Sequence, residues 1–346
     1  MSELHVDPLP SKDVPTPVVD TTEDDVDTSG KNTLNQNSDV PNSVENLGLK
    51  DPAMSEKLGK TVPNPPTVVD ANIGDDKGMM VEFKKSMMEA FDMTDLGKMR
   101  FFLGIEILQK SEGIFICQRK YATDILKKFT MSESKPVNCP IVPGSKINRD
   151  VNGAAVDDTY FKKIVGCLMY LTATRPDIMF SVSLISRYMS KPTELHLQAA
   201  KRILRYLKGT TSYGIFYKKG GETDLLAFTD SDYAGDEEDS KSTSGYVFFL
   251  SSGAVSWMSK KQPIVTLSTT EAEFVAAATS ACQAVWMRRI LKNISHVQEG
   301  STDGEIELVH CVTQEQDADL MTKALKLEAF QKLRKKMGML DFTEVN

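Results

Sequence analysis

No two of the five cysteines (Cys117, Cys139, Cys167, Cys282, Cys311) lie in a C-x-x-C pair, and their number is odd. A disulfide framework or a structural zinc site is therefore not expected, and a reducing compartment is. No apolar run reaches the length of a membrane span, and Met1-Ser-Glu-Leu-His lacks the basic and apolar regions of a signal peptide. The expectation is a soluble chain of the cytosol or nucleus. Aromatic residues are missing from the first 70 positions; the first is Phe83. That segment holds 9 of the 15 prolines and 13 acidic against 5 basic residues, a net −8 that leaves +1 for the other 276. Such a composition buries too little apolar surface to offset its ordering entropy, so residues 1–75 read as a disordered tail. The pI of about 5.3 is partly a property of that tail and does not argue against a nucleic-acid partner. No convincing Ser-His or Cys-His pairing for nucleophilic catalysis is present either.

What is present is periodicity. Val81–Phe91 has apolar residues at helical spacing. Phe101–Leu108 and Gly113–Cys117 read as a hairpin, with Gly113 in the turn. Tyr121–Phe129 reads as a short amphipathic helix, and a proline-rich loop follows from Ser132 to about Asp158. Residues 160–210 read as three helical pieces: Tyr160–Thr172, then Ile178–Met189 beyond the Arg175-Pro176-Asp177 interruption, then Glu194–Lys208. The last places Lys201, Arg205 and Lys208 on one face, a candidate nucleic-acid contact with Lys260-Lys261. It is equally a solvated helix surface.

From Tyr213 the period becomes alternating. Ile215–Tyr217, Leu225–Thr229, Gly245–Leu250 and Ala254–Met258 read as strands. Ser268–Leu291 reads as a long helix opened by the capping pattern S-T-T-E. A further strand is expected at Glu305–Cys311, and a final helix at about Asp317–Met337, stopped by Gly338. The fold class is α+β.

Asp230 ends a hydrophobic strand, where a carboxylate is costly unless a cation compensates it. Glu271 and Glu273 start the long helix; Asp317 and Asp319 start the last one. For Glu271 and Asp317, complementing a helix dipole is sufficient reason. For Asp230 it is not. A calcium loop at Asp230-Ser-Asp-Tyr-Ala-Gly fails at Ala234 and Lys241. A magnesium-dependent phosphodiesterase, built on three or four carboxylates, remains as the third reading.

Four ordered strings favour it. Thr229-Asp-Ser-Asp-Tyr-Ala-Gly-Asp, Lys241-Ser-Thr-Ser-Gly-Tyr, Trp257-Met-Ser-Lys-Lys-Gln and Leu267-Ser-Thr-Thr-Glu-Ala-Glu-Phe together resemble the ribonuclease H domain of copia-type LTR retrotransposon polyproteins. Upstream, Val165–Ile178 and Ala200–Thr210 resemble the connecting region of the same polyprotein, and Phe83–Phe129 the end of its reverse transcriptase. Beyond the compositional tail (1–75), which the resemblance does not cover, it implies a reverse-transcriptase thumb or connection remnant (76–211) and a ribonuclease H-like mixed sheet with helices (212–346). It implies Asp230, Glu273 and Asp319 as metal-binding catalytic residues, Mg2+ as cofactor and an RNA–DNA hybrid as partner. No membrane or small-molecule partner is expected.

Two departures limit the activity expected. The strand that carries a Cys-Asp-Asn motif in the family has no counterpart between Leu291 and Thr302, and neither His296 nor His310 replaces its carboxylate. The polymerase string survives only as Val68-Val-Asp-Ala71, with Ala71 in place of the second acid. Polymerase activity is not expected, and hybrid cleavage is expected to be lost or very weak. The alternative is a non-catalytic nucleic-acid-binding or host-co-opted protein.

Overall fold

The computed structural model describes residues 77–345 apart from 93, 95, 96, 146, 221–223 and 294–305. The acidic tail, Val68–Ala71, His296 and most of the stretch where the family strand was missed lie outside the described residues.

Helical spacing becomes helix at Lys77–Ala90 (α1), Arg119–Lys128 (α2) and Asp158–Leu171 (α3). In α3, Phe161, Ile164, Val165, Leu168 and Leu171 recur at three- and four-residue intervals and are all buried. Each such side chain contributes about 1.5–3 kcal/mol when withdrawn from water. Pro176 opens a 3-10 turn, Pro176–Ile178, which leads into Met179–Ser186 (α4), shorter than the piece expected. Glu194–Gly209 (α5) follows, its start closed by a reciprocal cap between Thr193 and His196.

The expected hairpin is three strands, Phe101–Phe102 (β1), Ile105–Gln109 (β2) and Gly113–Cys117 (β3). Leu103 and Gly104 both take positive φ, 47° and 76°, and so make a two-residue turn inside a run that reads as one strand. Tyr213–Lys218 (β4), expected to lead the C-terminal strands, pairs instead with β3 and with Met339–Asp341 (β8), an element the sequence did not suggest. This sheet has the order β1-β2-β3-β4-β8. The second sheet is Leu225–Ser231 (β5), Thr243–Leu250 (β6) and Gly253–Lys261 (β7), in that order. Every ladder among the described strands is antiparallel, so the mixed sheet that was expected lacks a parallel member here.

Thr269–Asn293 (α6) lies across β5 and β6. The last helix divides into Asp319–Thr322 (α7) and Leu327–Lys336 (α8). Its halves have different seats: α7 packs on β6, α8 beside β8, and one straight helix does not reach both. Phe342–Val345 (α9) follows β8. The strand expected at Glu305–Cys311 is corrected too. Ile306–Val312 forms no ladder, and Leu308 and Val309 stay exposed, because β-forming residues make a strand only where an edge receives them.

One apolar cluster joins α2–α5 to β4, β6, β7, α7 and α8, so residues on both sides of position 211 share a core. No described helix is long and apolar enough to cross a membrane.

Candidate functional site

Asp230 stands opposite Gly245 on β6. A Cβ at position 245 would lie 2.5 Å from Met321 Cβ and 2.8 Å from Thr322 Cγ2. The bare backbone there is what lets α7 settle on the sheet, and α7 carries the site's other groups. Asp230 is 5% exposed and accepts a hydrogen bond from the Thr322 hydroxyl. Lys323 Nζ lies 3.1 Å from Asp230 Oδ2 and 2.8 Å from Asp319 Oδ1, so one ammonium serves two carboxylates.

Glu273 completes the group from α6. The helix start is capped as the sequence implies: Ser268 Oγ accepts the Glu271 N–H at 3.1 Å, and the Glu271 carboxylate accepts the Leu267 N–H at 2.6 Å. Glu271 is thus a capping acid. Glu273 looks toward the site, and its carboxyl is pushed above the usual range by burial, then by the negative charge of Asp230; the Ser231 N–H opposes this. Asp319 is raised in the same way, by burial first and with Asp230 adding to it, while Lys323 pulls it down. Burial disfavours the Lys323 charge, yet Asp319 and Asp230 hold that lysine above its ordinary value. Asp317 is paired elsewhere, with Lys336 at 2.8 Å.

Asp230, Glu273 and Asp319 are therefore brought to one end of β5. Among the described residues, however, no three carboxylate, histidine or cysteine side chains close on a point where they could hold one metal ion. The other acids of the Asp230 string are used structurally. Asp232 accepts the Thr243 N–H, with burial raising its carboxyl. Asp236 is paired with Lys261 at 2.6 Å and Arg187 at 3.4 Å. Burial works to raise Asp236, but those cations and the Glu238 N–H hold it below the usual carboxylate range.

A groove of about 1020 Å³ runs from this cluster along the outer side of β5, between α6 and the extended Ile306–Gln316. No described strand pairs with that side. The Thr229 carbonyl there accepts a side-chain bond from Gln316 at 3.0 Å. His310, exposed beside the groove, belongs to no strand.

The basic face of α5 is less open than its spacing suggests. Arg205 Nε donates to the Lys135 carbonyl at 2.7 Å, Lys201 is half-buried, and only Lys208 is exposed. Lys261 is committed to Asp236 and Asp239. Two residues at the site escaped the sequence reading. Lys323 had a signal, its i,i+4 spacing from Asp319. Gln262 had none. It is buried between sheet and helix and donates to Ser244 Oγ at 2.9 Å, Ser231 Oγ at 3.2 Å and the Ala272 carbonyl at 3.0 Å, which pins the first turn of α6 to the strand ends.

An α+β chain with strand-borne and helix-borne carboxylates at one sheet end is of a class found in many unrelated proteins, so comparison with known sequences has to name it. A family model described as reverse transcriptase (RNA-dependent DNA polymerase) matches residues 68–143. The retrovirus-related Pol polyprotein from transposon RE1 of Arabidopsis thaliana is 34% identical over 303 residues, 77% of this chain and 21% of that one. The Pol polyprotein from transposon TNT 1-94 of Nicotiana tabacum is 31% identical over 312 residues, 77% of this chain and 23% of that one. An uncharacterized mitochondrial protein of Arabidopsis thaliana is 40% identical over 201 residues, 58% of this chain and 83% of that one. The chain belongs to the Pol polyprotein family of copia-type retrotransposons. It spans about a fifth of the length of the curated Pol polyproteins it matches. No solved structure matches.

Proposed function

We propose that this chain is a Pol polyprotein remnant with a ribonuclease H-like C-terminal part that engages RNA–DNA hybrids or other nucleic acid without cutting them. The observation that carries this reading is the way the three carboxylates are used. Asp230 and Asp319 share the Lys323 ammonium, while Glu273 stands beside them and does not close a three-ligand group. The order β5-β6-β7, with α6 laid across it and Asp230 ending β5, supports the ribonuclease H-like assignment. The groove beside β5 is accounted for if the family strand bearing the further carboxylate is missing.

Magnesium is the cofactor that suits this donor set, because it takes hard oxygen ligands and keeps several waters. The residues fit one such ion, between Asp230 and Asp319, better than two. When bound, a divalent ion supplies an activated water and charge stabilisation at the leaving oxygen. The chain's own contribution is to hold Asp230 in place through Thr322, while burial and the neighbouring Asp230 charge raise the carboxyls of Glu273 and Asp319 above their ordinary values. Polymerase chemistry is not proposed, since Ala71 replaces an acid in Val68-Val-Asp-Ala71. The free cysteines suit a reducing compartment such as the cytosol or nucleus.

The test is a labelled RNA–DNA hybrid incubated with the purified chain and Mg2+. The expected result is salt-dependent binding with no cleavage above that of Asp230→Asn. Cleavage by the wild type that disappears in Asp230→Asn overturns the proposal.

A further inference from the structure

Three carboxylates gathered in a half-buried site repel one another unless a positive charge stands among them. In this chain the charge is intramolecular. Lys323 Nζ is 2.8 Å from Asp319 Oδ1, 3.1 Å from Asp230 Oδ2 and 3.4 Å from Asp230 Oδ1. These are hydrogen-bond distances from two separate elements, the end of β5 and the first turn of α7. The lysine is fixed from both directions. It lies one residue beyond the end of α7, where the backbone turns extended, and four residues after Asp319. Its neighbour Thr322 donates to the same Asp230 carboxylate. The backbone that seats the hydroxyl therefore also seats the ammonium. Glu273 feels the same cation, whose charge partly offsets the effect of burial on that carboxyl.

We propose that Lys323 is the resident counter-ion of the Asp230–Asp319 pair and occupies the position a divalent cation would take, so that a metal ion enters only by displacing its ammonium. This deepens the reading of the site as a magnesium-type carboxylate cluster and rests on it. Two consequences follow from charge alone. The cluster is compensated without any metal, so the fold does not depend on divalent ions. And an incoming divalent ion meets a cation already satisfied by two carboxylates. A unit charge about 4 Å from a divalent ion opposes it by roughly thirtyfold in affinity even at the dielectric of water. Lys323 keeps 40% of its side chain exposed, which gives the ammonium a way out to solvent.

The experiment is titration of Mn2+ into the full chain, followed by the loss of the free-ion electron paramagnetic resonance signal. Wild type, Lys323→Met and Lys323→Arg are compared, with circular dichroism as a check on folding. Lys323→Met is expected to bind Mn2+ at least tenfold more tightly than wild type, and Lys323→Arg, which keeps the charge, to stay within about threefold of it. Adding Asp230→Asn to Lys323→Met should abolish the gain. Equal affinity in wild type and Lys323→Met overturns the proposal, as does a gain that survives Asp230→Asn. Should Lys323→Met fail to fold, the wild type decides: acetylation of Lys323, read by mass spectrometry, should quicken several-fold as Mn2+ displaces the amine, and a rate indifferent to Mn2+ overturns the idea. Hybrid cleavage by wild type would overturn the proposed function and leave this result to stand or fall on the titration.

Discussion

Arg175→Met should lower stability by about 3–5 kcal/mol, seen as a fall in the urea midpoint with the slope unchanged. Arg175 and Asp177 are both buried, at 2% and 3% exposure, and face each other in a two-pronged pair: Nε to Oδ1 at 2.9 Å and Nη2 to Oδ2 at 2.8 Å. Two of the three remaining guanidinium N–H donors are used on Thr210, at its carbonyl (2.8 Å) and hydroxyl (2.7 Å). Tyr206 donates to Asp177 at 2.6 Å and accepts from Arg334 at 2.9 Å, so the corner before α4 is tied to α5 and α8. Removing the arginine strands a buried carboxylate, which is why the loss exceeds the value of the pair itself. The double variant Arg175→Met/Asp177→Asn should recover part of it. The pH dependence has a definite sign. Burial acts to raise Asp177, but Arg175 and the Tyr206 hydroxyl bring it below its ordinary value. The stability it contributes is complete above the unfolded value of about 3.9 and is lost as pH falls through the lower folded one. Glu273 and Asp319, both raised, act oppositely: the stability they withhold at neutral pH returns as pH falls through their folded values. Acid titration of wild type should show the second effect first, and Arg175→Met should lose the steep fall below pH about 4. A midpoint change under about 1 kcal/mol in Arg175→Met would refute the argument.

That network shows where sequence reasoning stops. Arg175-Pro176-Asp177 is legible as a break in a helical run, and the chain does turn there. That the flanking charges face each other inside the core is not legible, since their partners Tyr206 and Thr210 are 29 and 35 positions away and Arg334 joins only through Tyr206, 128 positions before it. Elements fixed by local periodicity were readable: the apolar stripe of α3, the capped start of α6, the strands β6 and β7. Those fixed by a distant partner were not. β8 is three residues whose strand state depends on β4, and Ile306–Val312 has strand composition but no ladder. The split of β1 from β2 had a local cause in Leu103-Gly104, hidden because leucine rarely takes positive φ. At the site, three carboxylates were placed by resemblance, and the structure brings them to one sheet end. The lysine between two of them, and Gln262 beneath the helix, exist as interactions only once the chain has folded.

Gly245→Val should be the most damaging change at the site, lowering stability by about 3 kcal/mol or more. Overpacking alone costs about 1–3 kcal/mol. Here the obstruction is Met321 Cβ and backbone, which cannot swing aside as the end of a long side chain could. Strand β6 is the middle strand of its sheet, held on both sides by β5 and β7, so α7 is the element that must move. Moving α7 takes Thr322 and Lys323 away from Asp230 and leaves a carboxylate with 8% of its side chain exposed without its donors. That part of the loss is discounted because Lys323 is partly solvated. The check is hydrogen exchange. Amides of Met321–Lys323 should exchange much faster in the variant, while those of the β6–β7 ladder keep their protection. Gly166→Ala supplies the contrast. It lies inside α3, and a Cβ there meets nothing within 4 Å, so the change should raise stability by about 0.5–1 kcal/mol. If Gly245→Val unfolds within about 0.5 kcal/mol of wild type, the approach of α7 to the sheet is not what assembles the site. If α7 loosens while the fold survives, the variant separates two roles of one contact, because the Asp230–Lys323 pair then breaks with the sheet intact.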